Sequence, residues 1–583
     1  MHAPTIYHLA IDRFRSLRNF SWHPATGVNV ILGGGDVGKT TVLDAIGLLL
    51  SPTNPAALSD TDYYERKVDA EFVIEAIVSL PVESSISHQS KPSWPWNWDG
   101  KNALVPDADA ETVTGEPVYC LRVRGTAELE LVYEIVQPNG AIDNFSPTLR
   151  RTIGLVRLAG EDRNDRDLRL VQGSALDRLI SDKALRSRLT VELARSDVKG
   201  QLAEDKKKAL VDLDDVFTKR SLPHSLDLAI TGSHGQSIAA LIGLTAKRGE
   251  VHLPLASWGA GTRRFATLAI AEQNQGEAPV TLVDEVERGL EPYRQRLLMA
   301  SLQASSSQVF VTTHSPSIIS ASSKANIWHI DHTGRIGSLG AVEISKFRES
   351  DPEMFLSRLS IVVEGSTEVG FIEALLGRAL GTPLQQYGIY LTDGGGHEST
   401  LSLLEALSKG GLSFAGFADN EQKYPDRWNE LKRKLDNLLF RWEKGCVETN
   451  VIQLIPDGKL EALIIDPEAQ KTGSRLRTLA DRLGIEGPAK DFSTIQRKAG
   501  PNLKAIIIAA ATGETLEHET DPEKKKEYKA HGQQWFKSMK GGRELFNKVV
   551  DFGTWPLLKA PLMEFCNAVR KAVKLDDTLD IGQ

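Results

Sequence analysis

Two sets of residues in this sequence have types and spacings that could do chemistry. The first is the run Gly33-Gly34-Gly35-Asp36-Val37-Gly38-Lys39-Thr40-Thr41. The second is a series of acidic residues in the other half of the chain: Glu364, Glu368, Asp419 and Glu421. The run satisfies G-x-x-x-x-G-K-[ST], the spacing that cradles nucleotide phosphates. Glycines such as Gly33, Gly35 and Gly38 let successive backbone N–H groups, those of Asp36 and Val37 among them, curl around a β-phosphate without Cβ clashes. Lys39 is expected to reach the β/γ-phosphates and the Thr40 hydroxyl to ligate Mg²⁺, with Thr41 completing the nucleotide-binding positions. The expected cofactors are therefore ATP and Mg²⁺ (or Mn²⁺).

The elements that must position this loop are legible around it. The apolar run Val28 to Leu32 precedes it, and Thr41 to Ile46 opens a helix whose N-terminus favours an anion. Further on, Val280-Thr-Leu-Val-Asp284-Glu285 reads as a buried strand with two carboxylates at its C-terminal edge, where ligands bind in open α/β sheets. Asp284 is expected in the Mg²⁺ shell and Glu285 to polarise the attacking water. A second buried strand, Gln308 to Thr313, ends in His314, read as a γ-phosphate sensor. Ahead of both, Ser257, Gly259 and Gly261 mark a helix N-terminus suited to an anion.

The acidic set sits at the ends of its own strands. Leu359 to Val363 leads into Glu364-Gly365, with Glu368 on the first turn of the following helix, and Phe414 to Ala418 leads into Asp419-x-Glu421. Between these lies Tyr390-Leu-Thr-Asp-Gly394-Gly-Gly396-His, a strand and glycine turn. Carboxylates on adjacent strand ends form a Mg²⁺ site, because hard cations want oxygen ligands. Glu364-Gly365 followed by Asp419-x-Glu421 resembles a Toprim nuclease, and that resemblance implies a lysine to offset transition-state charge. In Trp535-Phe-Lys537-Ser-Met-Lys540, Lys540 is placed narrowly ahead of Lys537.

The whole chain sets bounds. Its 583 residues predict several domains, and 41% hydrophobic with 25% charged residues is ordinary globular composition. A net charge of −8 excludes a global basic field, so any nucleic-acid surface must be local. The three separated cysteines, Cys120, Cys446 and Cys566, predict neither a disulfide framework nor a zinc site and suit a reducing cytoplasm. No apolar run is long enough to predict a membrane span. Residues 167–244 read as a helical insertion, either for dimerisation or as an ordinary subdomain. Ser84 to Pro117 reads as a long loop whose Trp94, Trp96 and Trp98 either stack on bases or cap the core. Glu523 to Lys548 holds eight Lys/Arg and three Glu with Tyr528, Trp535 and Phe536 interleaved, either a strand-tracking groove or a solvated helix face.

The order of P-loop, Ser-x-Gly signature, hydrophobic-Asp-Glu and strand-end His resembles an ABC-type ATPase of the structural-maintenance-of-chromosomes kind. That resemblance implies that Ser257, Gly259 and Gly261 complete the site of a second copy, although this signature departs from Leu-Ser-Gly-Gly-Gln. Glu364-Gly365 with Asp419-x-Glu421 resembles a Toprim domain. The fusion of the two resembles the OLD (overcoming lysogenisation defect) family of nucleases, to which the Gabija defence nuclease subunit is related. The resemblance implies an α/β fold: an ABC-type P-loop ATPase over 1–350, then a Toprim domain over 355–583, with its core at about 358–465 and a helical C-terminal tail. It implies ATP-regulated, Mg²⁺-dependent DNA cleavage in phage defence, self-association as a homodimer or higher, and scope for a partner helicase. The rival readings are an RNA or tRNA nuclease and a DNA-binding ATPase switch with an inert Toprim fold. The family's later acidic position matches Glu448, with Glu461 as its rival. Where family members often carry Asp-x-Asp, this chain has Asp419-x-Glu421.

Overall fold

The computed structural model describes residues 3–51, 58–80, 86, 93–106, 115–158, 168–171, 174–180, 204, 208, 211, 243–248, 250–273, 280–468, 470–486, 491–515 and 520–575. The helical insertion expected at 167–244, with the dimerisation role assigned to it, falls almost wholly outside these residues. The chain packs as two compact units. Neither unit is continuous in sequence. Asn29–Val42, which carries the P-loop, packs with Thr312–Gln583, while Leu43–Val311 packs with the N-terminal segments.

In the first unit, strands Thr5–Phe14, Phe72–Ser79, Glu116–Gly125, Leu131–Val136 and Ile142–Asn144 pair antiparallel in that order. Alternation gives the sheet two different faces. Ile74, Ala76, Val78, Leu121, Val123 and Ile135 are buried on one. On the other, Glu75, Arg122 and Glu134 lie in register across three strands, and Arg122 bonds Glu75 at 2.7 Å. The expected loop at 84–117 contains strands Trp96–Trp98 and Ala103–Leu104. Trp98 stacks on Tyr7 with centroids 5.2 Å apart, and the Trp96 indole donates to the Val136 carbonyl. These two rings therefore serve the sheet, whereas Trp94 is 61% exposed. Strands Leu155–Leu158, Val280–Val283 and Val309–Thr312 run parallel and supply the unit's α/β part. The last two are buried at every position, as parallel strands covered on both faces must be.

In the second unit, the P-loop strand Val28–Leu32 is paired in parallel with Asn326–Ile330, which pairs antiparallel with Ile336–Ser338. A second sheet is parallel throughout, in the order Ile389–Asp393, Leu359–Val363, Ala415–Ala418, Leu439–Arg441. Its central strand Leu359–Val363 is completely buried. C-terminal helices cover the sheet and share its apolar core, which runs from Leu359 to Val573. Among the described residues no helix is long and apolar enough to cross a membrane.

The segment Glu523–Lys548 does not form an aromatic groove. Tyr528, Trp535 and Phe536 are buried. Lys548 is buried as well and donates to the carbonyls of Ala462 and Leu463, at the open end of helix Leu460–Ile464. Arg543 pairs with Glu373. The three rings and Lys548 belong to the core, while Lys524, Lys525, Lys526 and Lys529 lie on a solvated helix face.

One close approach matters for the site. Helix Ser366–Leu380 lies on helix Met539–Asp551 through glycines from both. A Cβ on Gly542 would collide with the Thr367 carbonyl oxygen, and one on Gly370 with that of Met539. Gly542→Ala gains up to about 1 kcal/mol of helix propensity. Overpacking against backbone that cannot yield costs about 1–3 kcal/mol. The variant should therefore have a lower urea midpoint with an unchanged m-value, read by circular dichroism.

Candidate metal centre and nucleotide-binding elements

Each turn of the second sheet delivers one part of an acidic cavity. Glu364 follows the Leu359–Val363 strand directly. The chain then reverses at Gly365 into helix Ser366–Leu380, which puts Glu368 on its first turn. Asp419 follows the adjacent Ala415–Ala418 strand. Glu448 comes from the first turn of helix Val447–Leu454, and the Val447 N–H donates to Asp419 Oδ1 at 3.2 Å. Glu364, Glu368, Asp419, Glu421, Glu448 and Lys537 line one cavity of about 690 Å³.

The first four carboxylates to be drawn together, Glu364, Glu368, Asp419 and Glu448, are all buried. Burial, then the neighbouring Glu448 and Glu364, push the Glu368 carboxyl up to about 8. Burial and the charges of Glu368, Glu364 and Glu448 raise Asp419 well above the usual carboxylate range, against the opposing pull of the Val447 N–H. Carboxylates crowded out of water and against each other are stabilised by a cation, and all their donors are hard oxygens. The residues present therefore fit a divalent metal of the Mg²⁺ or Mn²⁺ kind. Glu421 behaves differently: it lines the rim, 45% exposed, and its hydrogen bond to Lys423 at 2.8 Å lowers its pKa.

Of the two lysines, the structure places Lys537 in the cavity and not Lys540. Lys540 is 63% exposed and paired with Glu468 on the surface. Lys537 is brought in by Thr367, whose hydroxyl donates to the Phe536 carbonyl at 3.2 Å and so ties its loop to the Glu368 helix. Helix N-capping decides the difference: Ser538 accepts from the Gly541 N–H, which starts a helix at Met539 and turns Lys540 outward. Of the two rivals for the later acidic position, Glu448 lines the cavity and Glu461 is exposed.

The nucleotide-binding elements are found in both units. In the second, Gly33 and Gly38 take φ of +144° and +100°, and Asp36 +59°, conformations that shape the phosphate loop. Lys39 is buried and donates to the carbonyls of Gly33 at 2.9 Å and Gly34 at 2.6 Å. Thr40 and Thr41 follow it in helix Lys39–Leu50, where Thr41 lies 3.3 Å from the Ser16 hydroxyl. His314 is exposed, with one residue between it and Val309–Thr312. In the first unit, Asp284 is buried at the end of Val280–Val283, and Glu285 has φ of +45°. Arg264 is the residue sequence reasoning missed here. It is buried on helix Ala260–Gln273 and donates to the carbonyls of Asp284 and Glu285 at 3.2 and 2.8 Å, fixing the backbone that carries both carboxylates. Ser257 donates to the Pro254 carbonyl, and Gly261 has no room for a Cβ beside Leu290. Gly259 lies between them, just before that helix.

Comparison with known proteins finds an ATPase match followed along the chain by a Toprim match. Residues 124–320 match the family described as "AAA domain, putative AbiEii toxin, Type IV TA system". Residues 355–420 match "Overcoming lysogenization defect protein-like, TOPRIM domain". No curated protein matches the chain. Among solved structures, an Smc head bound to the C-terminal winged-helix domain of ScpA is 17% identical, at a TM-score of 0.32, covering 59% of this chain and 99% of that one. The recombination mediator RecF with ATPγS is 14% identical at 0.29, covering 58% and 99%. The SMC head domain from Thermotoga maritima is 13% identical at 0.28, covering 58% and 99%. The fold and the two domains define an α/β enzyme with an ATPase domain and a Toprim, metal-dependent nuclease domain. This order of domains, an ATPase match followed by a Toprim match, is similar to that of an OLD-type ATPase–Toprim protein.

The raised Glu368 pKa has a stability consequence. A carboxyl held at about 8 when folded, against an ordinary 4.5, contributes stability that is complete below pH 4.5 and lost as pH rises through about 8. In EDTA, the melting temperature of the wild type should fall across that window more than that of Glu368→Gln. Mg²⁺ should abolish the difference in slope at the alkaline end, because cation binding displaces the proton. Parallel melting curves for the two proteins in EDTA would refute the assignment.

Proposed function

We propose that this chain is an ATP-regulated DNA endonuclease of the OLD type, dependent on Mg²⁺ or Mn²⁺, acting as a homo-oligomer in defence against phage. The observation that carries the reading is the convergence of Glu364, Glu368, Asp419 and Glu448 on one cavity with Lys537 on its wall. With a divalent cation bound, such a site activates a water and neutralises the leaving oxygen of a phosphodiester. Glu364, Glu368, Asp419 and Glu448 would hold the cation. Lys537 would meet the non-bridging phosphate oxygens, and Glu421 with Lys423 would shape the rim. The set of ionisable ligands is intact, which favours an active nuclease over an inert Toprim fold.

Regulation by ATP rests on packing within the second unit. The two carbonyls that Lys39 holds belong to Gly33 and Gly34. Gly34 is wedged against the backbone of Arg358, immediately before the strand that ends in Glu364, and a Cβ there would overlap it. Gly33 abuts the Ile330 carbonyl, and the next residue, Asp331, accepts from the Ser413 N–H just before the strand that ends in Asp419. Transfer of Lys39 from these carbonyls to a nucleotide's phosphates would release both glycines. Gly34 touches the root of the strand that leads to Glu364, and Gly33 connects through Ile330 and Asp331 to the root of the strand that leads to Asp419, so the change would reach both sides of the cavity.

The test is plasmid nicking and phosphate release on the same preparations, with Mg²⁺ or Mn²⁺, with and without ATP, and with an RNA substrate in parallel. Glu364→Ala should lower cleavage by orders of magnitude and leave ATP hydrolysis in place, since Asp284 and Glu285 are separate carboxylates. Wild-type nicking by Glu364→Ala would overturn the nuclease reading, and cleavage of RNA alone would move the substrate. Lys537→Met should lose about 10²–10³-fold in cleavage rate, the usual cost of one charge-stabilising donor. Lys540→Met should stay within a few-fold of wild type. The reverse order would restore Lys540.

A further inference from the structure

The glycine turn Gly394-Gly-Gly396-His397 has no part in the mechanism so far, yet it is folded tightly onto the strand that delivers Glu364. The Gly394 N–H donates to the Val363 carbonyl and the Gly396 N–H to the Glu364 carbonyl, each at 2.8 Å. Gly396 has φ of +105°, which lets the chain turn at once into helix His397–Lys409 with His397 as its first residue. The buried imidazole is thereby aimed at the Glu364 carboxylate, with Nδ1 lying 3.3 Å from Oε2.

The partner of the other ring nitrogen fixes the tautomer. Trp428, 1% exposed on helix Pro425–Leu435, donates its indole N–H to His397 Nε2 at 3.2 Å. An indole nitrogen can only donate, so Nε2 must present a lone pair and Nδ1 must carry the hydrogen. His397 therefore donates to Glu364 Oε2. The Asp419 N–H donates to the same oxygen at 3.1 Å. Two donors occupy Oε2, and Oε1 is left for a cation. Trp428 is itself held beneath the Arg441 guanidinium, 5.2 Å from its ring. Arg441 closes the circuit by donating to the Asp419 carbonyl at 3.3 Å and to Asn420 Oδ1 at 2.6 Å.

We propose that His397 is a positioning residue, held in one tautomer by Trp428, that fixes Glu364 as a single-oxygen metal ligand. The proposal rests on the reading that Glu364 binds the metal. In many metal centres a carboxylate orients a ligating histidine; here a histidine orients a ligating carboxylate. A donor without net charge suits this purpose, because it sets the direction of the carboxylate without cancelling the negative charge that a cation needs. A lysine or arginine in its place would compete with the metal.

The test measures Mn²⁺ affinity by titration calorimetry and by the electron paramagnetic resonance signal of free Mn²⁺, with plasmid nicking across a Mn²⁺ series at one fixed pH. Circular dichroism confirms the fold of each variant. His397→Ala should weaken Mn²⁺ binding by about 10–100-fold, the usual cost of losing such an outer partner. The Mn²⁺ concentration for half-maximal cleavage should rise in proportion, with cleavage at saturating Mn²⁺ within a few-fold of wild type. His397→Asn puts an amide N–H where Nδ1–H stood and should recover most of the affinity. Trp428→Phe frees the tautomer and should fall between wild type and His397→Ala. Wild-type affinity in His397→Ala overturns the proposal, and so does an Asn variant as weak as the Ala variant. If the wild type neither binds Mn²⁺ nor nicks DNA, the metal-site reading itself fails, and the proposal with it.

Discussion

Like charge held out of water is the constraint on which the second unit turns. Four carboxylates reach one cavity from two strand ends and two helix starts, and among the described residues none has a cationic partner in its hydrogen bonds. Such a group is unfavourable unless something offsets it. The chain supplies partial compensation: backbone N–H groups from Asp419 and Val447, the Nδ1–H of His397, and Lys537 at the wall. The rest shows as displaced proton affinity in Glu368 and Asp419. A cation would resolve both. The surrounding architecture exists to prevent the alternative resolution, in which the carboxylates relax apart.

That resistance is built from backbone rather than long side chains. Glycines at 370 and 542 bring two helices into direct contact, so the Glu368 helix cannot drift from the helix that follows Lys537. Below it, Arg475 is fully buried and forms a two-pronged pair with Glu544 at 2.7 Å for each bond, with the ring of Phe536 4.8 Å from its guanidinium. A buried pair of this geometry is costly to break because either partner alone would be an uncompensated charge. It holds the Trp535–Phe536 segment, and with it the approach of Lys537.

The same economy governs the P-loop. In many proteins a phosphate loop is read as belonging to the domain that its strand begins. Here Gly33 lies against Ile330 and Gly34 against Arg358, the residue just before the Leu359–Val363 strand. Arg264 plays the corresponding part in the first unit, where a buried guanidinium grips the carbonyls that precede and follow Glu285. Both arrangements fix backbone, the least adjustable part of a site.

The sequence alone determined what is local. A phosphate loop, a buried strand ending in Asp-Glu, and strands ending in Glu364 and Asp419 each depend on a few consecutive residues, whose periodicity and glycine placement can be read directly. The structure decided what depends on residues far apart in the chain. Lys537 and Lys540 are three residues apart and chemically identical; the Thr367 hydroxyl, about 170 positions away, and the Ser538 cap separate them. Glu448 and Glu461 differ only in which helix start faces Asp419. Tyr528, Trp535 and Phe536 look like a nucleic-acid surface by composition, but burial is a property of the whole core and not of their neighbours in sequence. His397 and Trp428 carried no legible signal, because a tautomer is set by a partner that only folding supplies.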